Sequence, residues 1–342
     1  MDRGKNILIA GMAGASLGSE IVKCLKLAGQ YSVFGCDISP HAFGLYSVEL
    51  AGSFIVDRNN YIRSILDICA QNNIQYIIPG GEQPMVLLSA NDKDLSESGI
   101  VLVCNNTGVI KQFSDKENTF QLLKKLGFPV PKTCLVTSAE DIKGFGFPCI
   151  VKPSTGTRGS DSVFLANNAE ECLLYVELLR RNGRKVIVQE YIDLEEGEFT
   201  IGVLSDTRCN VISSVCMKRI FDSKLSVAFR SKNGMISSGY SQGLIDDFPD
   251  LRGQAEAIAK ASGSTGPLNI QGRVKGGVLI PFEINPRFSA STYLRAMAGV
   301  NEVHLFLQHL MGQQVSTALT LKKGYYLRTF NEGYVPLEMI KK

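Results

Sequence analysis

The residues best equipped for chemistry lie late in the chain, in Phe282-Glu283-Ile284-Asn285-Pro286-Arg287. Glu283 and Asn285 stand two apart at the end of an apolar strand, and a strand shows alternate residues to one face. Their oxygens can therefore meet a common Mg²⁺, a hard cation that keeps phosphate oxygens and waters as its other ligands. Gln271 ends the preceding strand in Asn269-Ile270-Gln271. If 268–271 and 278–284 form a hairpin over Lys275-Gly276-Gly277, Gln271 lies beside Glu283. Arg287 follows with a fixed charge suited to a phosphate oxygen. The alternative for Glu283, a solvated strand carboxylate, fits poorly, because it sits in an apolar run and a buried carboxylate needs a cation.

Positioning these groups falls to an α/β chain. Apolar runs at 6–10, 31–36, 76–79 and 101–104 read as buried strands, with helical periods at 20–28 and 62–72 between them. That alternation marks a doubly wound parallel sheet over roughly residues 1–110. A helix begins at the Ser114-Asp115 cap and stops at Gly127. Strand 149–152, a Gly- and Ser-rich loop 153–162, helix 169–181 and strand 185–190 make a small α/β unit. From Glu198 onward the pattern is strand-rich, at 199–204, 211–217 and 226–229, before helix 249–262, the hairpin and a last helix near 303–311. The polar, glycine-rich stretch 231–243 shows no hydrophobic period and reads as either a lid or a plain surface loop.

Two further features lie on the N-terminal sheet. Gly11, Gly14 and Gly18 form a turn between strand and helix, where amides and the helix dipole favour an anion, and Asp37 ends the second strand. The spacing is GxxGxxxG rather than GxGxxG, so a phosphate-friendly scaffold without a dinucleotide competes with nicotinamide binding. Glu82, in Pro79-Gly80-Gly81-Glu82, is a candidate substrate contact at the sheet edge where ligands gather in open α/β folds, or else a carboxylate that stabilises the turn.

Asn269-x-Gln271 followed by Glu283-x-Asn285-Pro286-Arg287 resembles the ATP-grasp superfamily, closest to its carbamoyl-phosphate-synthetase-like members, and the resemblance covers the whole chain in order. It implies a pre-ATP-grasp Rossmann-like domain at 1–112, a small ATP-grasp lobe at 113–195 and a large lobe with the metal site at 196–342. It implies ATP and Mg²⁺ (or Mn²⁺), with Gln271, Glu283 and Asn285 as metal ligands. Lys152 resembles the lysine on the phosphate and adenine side. Ser154, Gly156, Arg158, Gly159 and Ser160 resemble the loop that folds over the phosphates. Gln189, Glu190, Tyr191 and Ile192 resemble the hinge that reads adenine, Glu198 the ribose carboxylate, and Lys116 a basic residue reaching the phosphates. Lys218, Arg219 and Arg328 match basic positions that face the carboxylate substrate or the transferred phosphate, though each of these three could instead be solvated; Arg287 is a further catalytic candidate and Asn269 a further substrate contact.

The implied reaction is phosphorylation of a carboxylate to an acyl-phosphate and its capture by an amine. Bicarbonate activation, a nicotinamide-dependent oxidoreductase and a non-catalytic nucleotide-binding module are the rivals. Composition agrees with a globular enzyme: 44% of 342 residues are hydrophobic, and a net charge of +3 with interspersed signs offers no block for nucleic acid or membrane. Nine cysteines without a CxxC pair read as reduced thiols, and the absence of a signal-like or 18-residue apolar stretch reads as cytoplasmic. The resemblance also implies a homodimer, for which no stretch supplies an interface signature.

Overall fold

The computed structural model describes residues 5–13, 17–47, 49–155, 162–316, 319–329 and 332–341. The chain opens with β1 (Lys5–Ala10), α1 (Leu17–Ala28), β2 (Tyr31–Asp37), β3 (Gly52–Ile55), α2 (Tyr61–Gln71), β4 (Tyr76–Pro79), α3 (Glu82–Ala90), α4 (Asp92–Glu97) and β5 (Val101–Leu102). These strands pair in parallel in the order β3-β2-β1-β4-β5. Strand β1 is apolar throughout because both of its faces are covered: Ile7 and Ile9 pack with α1, Leu8 and Ala10 with α2. Chain order reverses at β1 and β4, so the turns after them, at Gly11 and at Gly80–Glu82, meet at one edge.

The next unit contains α5 (Thr107–Phe113), α6 (Lys116–Lys125), β6 (Thr133–Leu135), β7 (Cys149–Pro153), β8 (Phe164–Ala166), α7 (Ala169–Arg181) and β9 (Val186–Glu190). Its strands form an antiparallel sheet, β6-β9-β7-β8, packed on α7. Asp115 caps α6 as expected, accepting from the amides of Glu117 and Asn118.

The third unit runs through β10 (Glu198–Ser205), β11 (Val211–Arg219), β12 (Val227–Ser231), β13 (Gly234–Ser237), β14 (Gly243–Asp246), α8 (Pro249–Ala261), β15 (Pro267–Lys275), β16 (Val278–Asn285), α9 (Thr292–Met297), α10 (Glu302–Leu310) and β17 (Gly324–Tyr326). Its main sheet has the order β16-β15-β10-β11-β14-β17. Phe199, Ile201, Val203, Leu268 and Ile270 face α8. The alternate residues of the same strands face the other way, toward the site described below. The stretch 231–243 contains β13, which pairs with β12, and Met235 and Ile236 are buried; two apolar residues are too few to show a period. No helix among the described residues is long and apolar enough to cross a membrane.

The N-terminal turn is built by close packing. A Cβ on Gly80 would stand 2.0 Å from the carbonyl oxygen of Gly11, and one on Gly18 would stand 2.1 Å from the same atom. Gly80→Ala should therefore destabilise the protein by about 2–3 kcal/mol or more, the scale of core overpacking. A urea midpoint equal to that of the wild type would show that this crossing has room the structure does not display.

Candidate active site

Strands β15 and β16 are joined by Gly276 (φ 60°) and Gly277 (φ 74°), both left-handed as a two-residue hairpin turn requires. The register places Gln271 opposite Glu283 and Asn269 opposite Asn285. All four side chains line one cavity of about 1720 Å³. Neither Gln271 nor Glu283 hydrogen-bonds to any side chain among the described residues, and Glu283 makes no salt bridge there, although it is only half exposed. An unpaired carboxylate flanked by amide oxygens fits a hard divalent cation. No three His, Cys, Asp or Glu converge among the described residues, so a cation bound here would draw further oxygens from its ligand.

A group of cations faces these oxygens. Lys152, at the end of β7, is buried and donates only to neutral acceptors, Gln189 Oε1 (2.8 Å) and the Phe282 carbonyl (3.1 Å), with its Nζ 5.5 Å above the Phe120 ring. Burial, reinforced by Lys116 and opposed by Glu283, lowers its pKa to about 7. Arg287 donates to the Phe288 carbonyl (3.0 Å) and weakly to Asn285 Oδ1 (3.4 Å). Burial pulls its pKa down while Glu283 and Glu82 push it up. Glu82 is the first residue of α3, a helix the sequence reading did not anticipate; burial pushes its carboxyl up, with Arg287 and Lys116 opposing.

The segment after β9 forms another wall. Gln189 bridges Lys152 and Thr133, and Glu190 is tied through its amide and carboxylate to Lys132. Arg273 stacks over the Tyr191 ring at 4.7 Å and donates to the Ile192 carbonyl (2.6 Å) and the Met235 carbonyl (2.8 Å). The Ile192 carbonyl is thus engaged, while its amide donates to no backbone acceptor among the described residues. Arg273 was missed in the sequence, although it lies two residues beyond Gln271 and on the same face; the 235–241 wall falls within 231–243, a stretch whose sequence reads as a lid or a surface loop.

Several expected residues are placed elsewhere. Ser154 is fully buried with its hydroxyl on Asp115 Oδ1 (2.9 Å), where it anchors the start of α6 instead of facing the cavity. Lys218 and Arg219 cannot act together, because neighbouring strand residues face opposite ways. Lys218 lies over Phe199 on the α8 side, and Arg219 is buried against Glu198 (2.9 Å) and the Ser238 carbonyl (2.8 Å). Arg328 pairs with Glu20 of α1 (3.1 Å) and is likewise committed to structure. Glu198 lines the cavity, but one oxygen is held by Arg219 and the other by Arg273 (3.0 Å), so a ribose hydroxyl would have to share it. Asp37 accepts from the amides of Met12 (2.7 Å) and Ser39 (2.9 Å), one on each oxygen, so a dinucleotide ribose would have to share both. Gly156, Arg158, Gly159 and Ser160 lie outside the described residues.

Glu198→Ala would leave two buried guanidiniums without their anion and should lower stability by about 3–5 kcal/mol. A variant with wild-type stability and only weakened nucleotide binding would instead make Glu198 a ribose contact.

A family model for ATP-grasp in the biosynthetic pathway with Ter operon matches residues 183–332, a RimK-like ATP-grasp domain matches 113–233, and a PylC-like N-terminal domain matches 7–103. The carbamoyl phosphate synthase large chain of Thermoanaerobacter sp. (strain X514) is 27% identical over 249 residues, covering 69% of this chain and 22% of that one. This chain thus spans about a fifth of the length of that and similar large chains. Biotin carboxylase from Campylobacter jejuni shares the fold with TM-score 0.70 at 17% identity, covering 93% of this chain and 74% of that one. The L-amino acid ligase from Bacillus licheniformis does so with TM-score 0.67 at 16% identity, covering 92% and 76%. With a polar hairpin face, a buried lysine and a hinge wall gathered on one cavity, and two ATP-grasp models matching consecutive parts of the chain, the protein is a member of the ATP-grasp superfamily.

Proposed function

We propose that the protein is an ATP-dependent ligase that phosphorylates a small-molecule carboxylate and couples the acyl-phosphate to an amine, releasing ADP and phosphate. One observation carries the reading: Glu283, without a salt-bridge partner, stands opposite Gln271 beside a buried Lys152 whose acceptors are all neutral. Each of these groups lacks a counter-charge that a cation-bound triphosphate provides. Relatives in sequence or fold that include a carbamoyl phosphate synthase, an L-amino acid ligase and a biotin carboxylase support carboxylate activation.

In this reading Gln271, Glu283 and Asn285 hold Mg²⁺, which neutralises phosphate oxygens when bound. Lys152 and Lys116 hold the nucleotide phosphates, and the Ile192 amide meets the base. The substrate carboxylate oxygen attacks the γ-phosphorus, the bond to the β-phosphate oxygen breaks and ADP departs. Arg287 stabilises charge on the transferred group, and Glu82 holds the amine. The amine nitrogen then attacks the acyl carbon, the bond from that carbon to the phosphate oxygen breaks, and the departing phosphate takes up the proton the nitrogen loses. Nine free thiols support a reducing, cytoplasmic setting.

Glu283→Ala should reduce Mg²⁺-dependent ADP release, assayed with pooled carboxylates and amines, by about a hundred-fold or more while the fold survives. Wild-type rates in that variant, or AMP in place of ADP as the product, would remove the reading. Lys152 adds a pH signature. Its pKa near 7 leaves it largely neutral at about pH 8.5 in the free protein, whereas a bound phosphate favours the ammonium. Binding of a non-hydrolysable ATP analogue should therefore take up a proton and weaken as pH rises from about 7 to about 9. Calorimetry in buffers of different ionisation enthalpy reads that uptake directly. Lys152→Met should abolish it and weaken binding at about pH 6.5; unchanged affinity and uptake would show that this lysine does not meet the phosphates.

A further inference from the structure

Behind the polar hairpin face lies a buried ion pair that the mechanism above does not use. Arg295, on α9, is 1% exposed and Glu302, on α10, is 3% exposed. Arg295 Nη1 donates to Glu302 Oε2 (3.2 Å), which also accepts from the Thr292 hydroxyl (3.2 Å). The pair crosses β10 at Gly202, where a Cβ would stand 2.1 Å from Arg295 Nη1 and 2.2 Å from Glu302 Oε1. The other arm of the guanidinium, Nη2, donates to Asn269 Oδ1 at 2.7 Å, and the Thr200 hydroxyl donates to the same oxygen at 3.0 Å.

An arginine can only donate, so the Asn269 atom it meets is the amide oxygen, and the orientation of this amide is settled without ambiguity. Two donors occupy that oxygen. The Nδ2 group is then the half of the amide left for the cavity that Asn269 lines, opposite Asn285. It is not among the buried side-chain atoms sealed off without a partner, as a group opening on the cavity requires.

We propose that Asn269 is a hydrogen-bond donor to the anionic end of the substrates, the transferred phosphoryl group or the acyl-phosphate, and that the Arg295–Glu302 pair is the positioning device that holds its amide in the donating orientation. The proposal rests on the ligase reading and adds to it. Asn269 sits among oxygen-bearing residues suited to a cation yet presents N–H to the same space, so it divides the site into a cation half at Glu283 and Gln271 and an anion half at its own amide. An N–H aimed at charge that develops during reaction stabilises it without reorganisation.

Asn269→Asp keeps an oxygen for Arg295 and exchanges the donor for a second, anionic oxygen. The folded state should be retained with an undiminished melting temperature, while turnover falls about ten- to a hundred-fold, the range for one hydrogen bond to a charged group. Mn²⁺ alone, titrated without nucleotide and read by electron paramagnetic resonance, should bind the variant more tightly than the wild type, because a carboxylate has replaced a donor beside Glu283. To test Arg295 without stranding a buried charge, both partners are replaced together, as Arg295→Met with Glu302→Leu. That protein should lose about ten-fold in kcat with an unchanged KM for ATP, since only the amide's orientation is released; Arg295→Lys, which keeps a donor, should recover part of it. Wild-type turnover and unchanged Mn²⁺ affinity in Asn269→Asp would overturn the donor assignment, and wild-type kcat in the double variant would overturn the positioning role. A wild-type protein without ATP turnover would sink the ligase reading, whereas the Mn²⁺ titration would still decide which way the amide faces.

Discussion

A β-strand must send alternate side chains to opposite faces, and the active site depends on that constraint in β10, β15 and β16. Phe199, Ile201, Val203, Leu268 and Ile270 are drawn to one face by α8. Glu198, Thr200, Asn269, Gln271, Glu283 and Asn285 have no choice but to share the other. A slip of one residue in β15 would put Gln271 into the α8 core and an isoleucine into the cavity, and burying an unpaired amide there is unfavourable. The two left-handed glycines at 276 and 277 reinforce the register from the hairpin end. The polar cluster is thus held in place largely by hydrophobic packing on the far side of the sheet.

Pairing separates the charges that build the site from those that act in it. Glu198 with Arg219 and Arg273, Arg295 with Glu302, and Arg328 with Glu20 are buried groups whose charges are paired. Two of them join segments distant in sequence: Arg273 ties β15 to Ile192 and Met235, and Arg328 ties the C-terminal stretch to α1. Such pairs contribute little net stability but are expensive to break, which suits parts that must keep a geometry. Lys152 and Glu283 share the same interior without a salt bridge. A buried lysine surrounded by neutral acceptors gives up much of its preference for the charged form, and a phosphate restores it.

The sequence made the parallel sheet, the Asp115 cap and the glycine hairpin legible because each is written in a local signal: an apolar run, a capping residue, a turn dipeptide. The pairing of Gln271 with Glu283 followed from the same logic, two strands of known phase joined by a turn of known length. What stayed hidden is set by partners far away in the chain. Nothing near Arg219 reveals that Glu198 is the group opposite it, and nothing near Ser154 reveals that its hydroxyl serves Asp115. Reading Lys218 and Arg219 as one basic feature neglected the same alternation that had been applied correctly to Glu283 and Asn285. Helix α3 was missed because Gln83-Pro84 follows a glycine pair that looks like a turn, although proline suits the first turn of a helix.

The N-terminal sheet contributes the opposite wall of the cavity, and there the glycine turn has a different meaning from the one its composition suggests. Gly18 and Gly80 are small because the Gly11 carbonyl lies against both, and Asp37 accepts from the amides of Met12 and Ser39. The turn's rigidity places Gly81 and the start of α3 at the sheet edge, so that Glu82 meets Arg287 and Lys116 across the cavity. In this arrangement the end that the proposed ligase reading gives to the nucleotide is defined by strands whose register is enforced by a core, while the opposite end is defined by turns and a helix start. On that reading a change of acceptor molecule would require changes only at the second end, and the chemistry at the first would be preserved because moving any of its side chains means moving a strand.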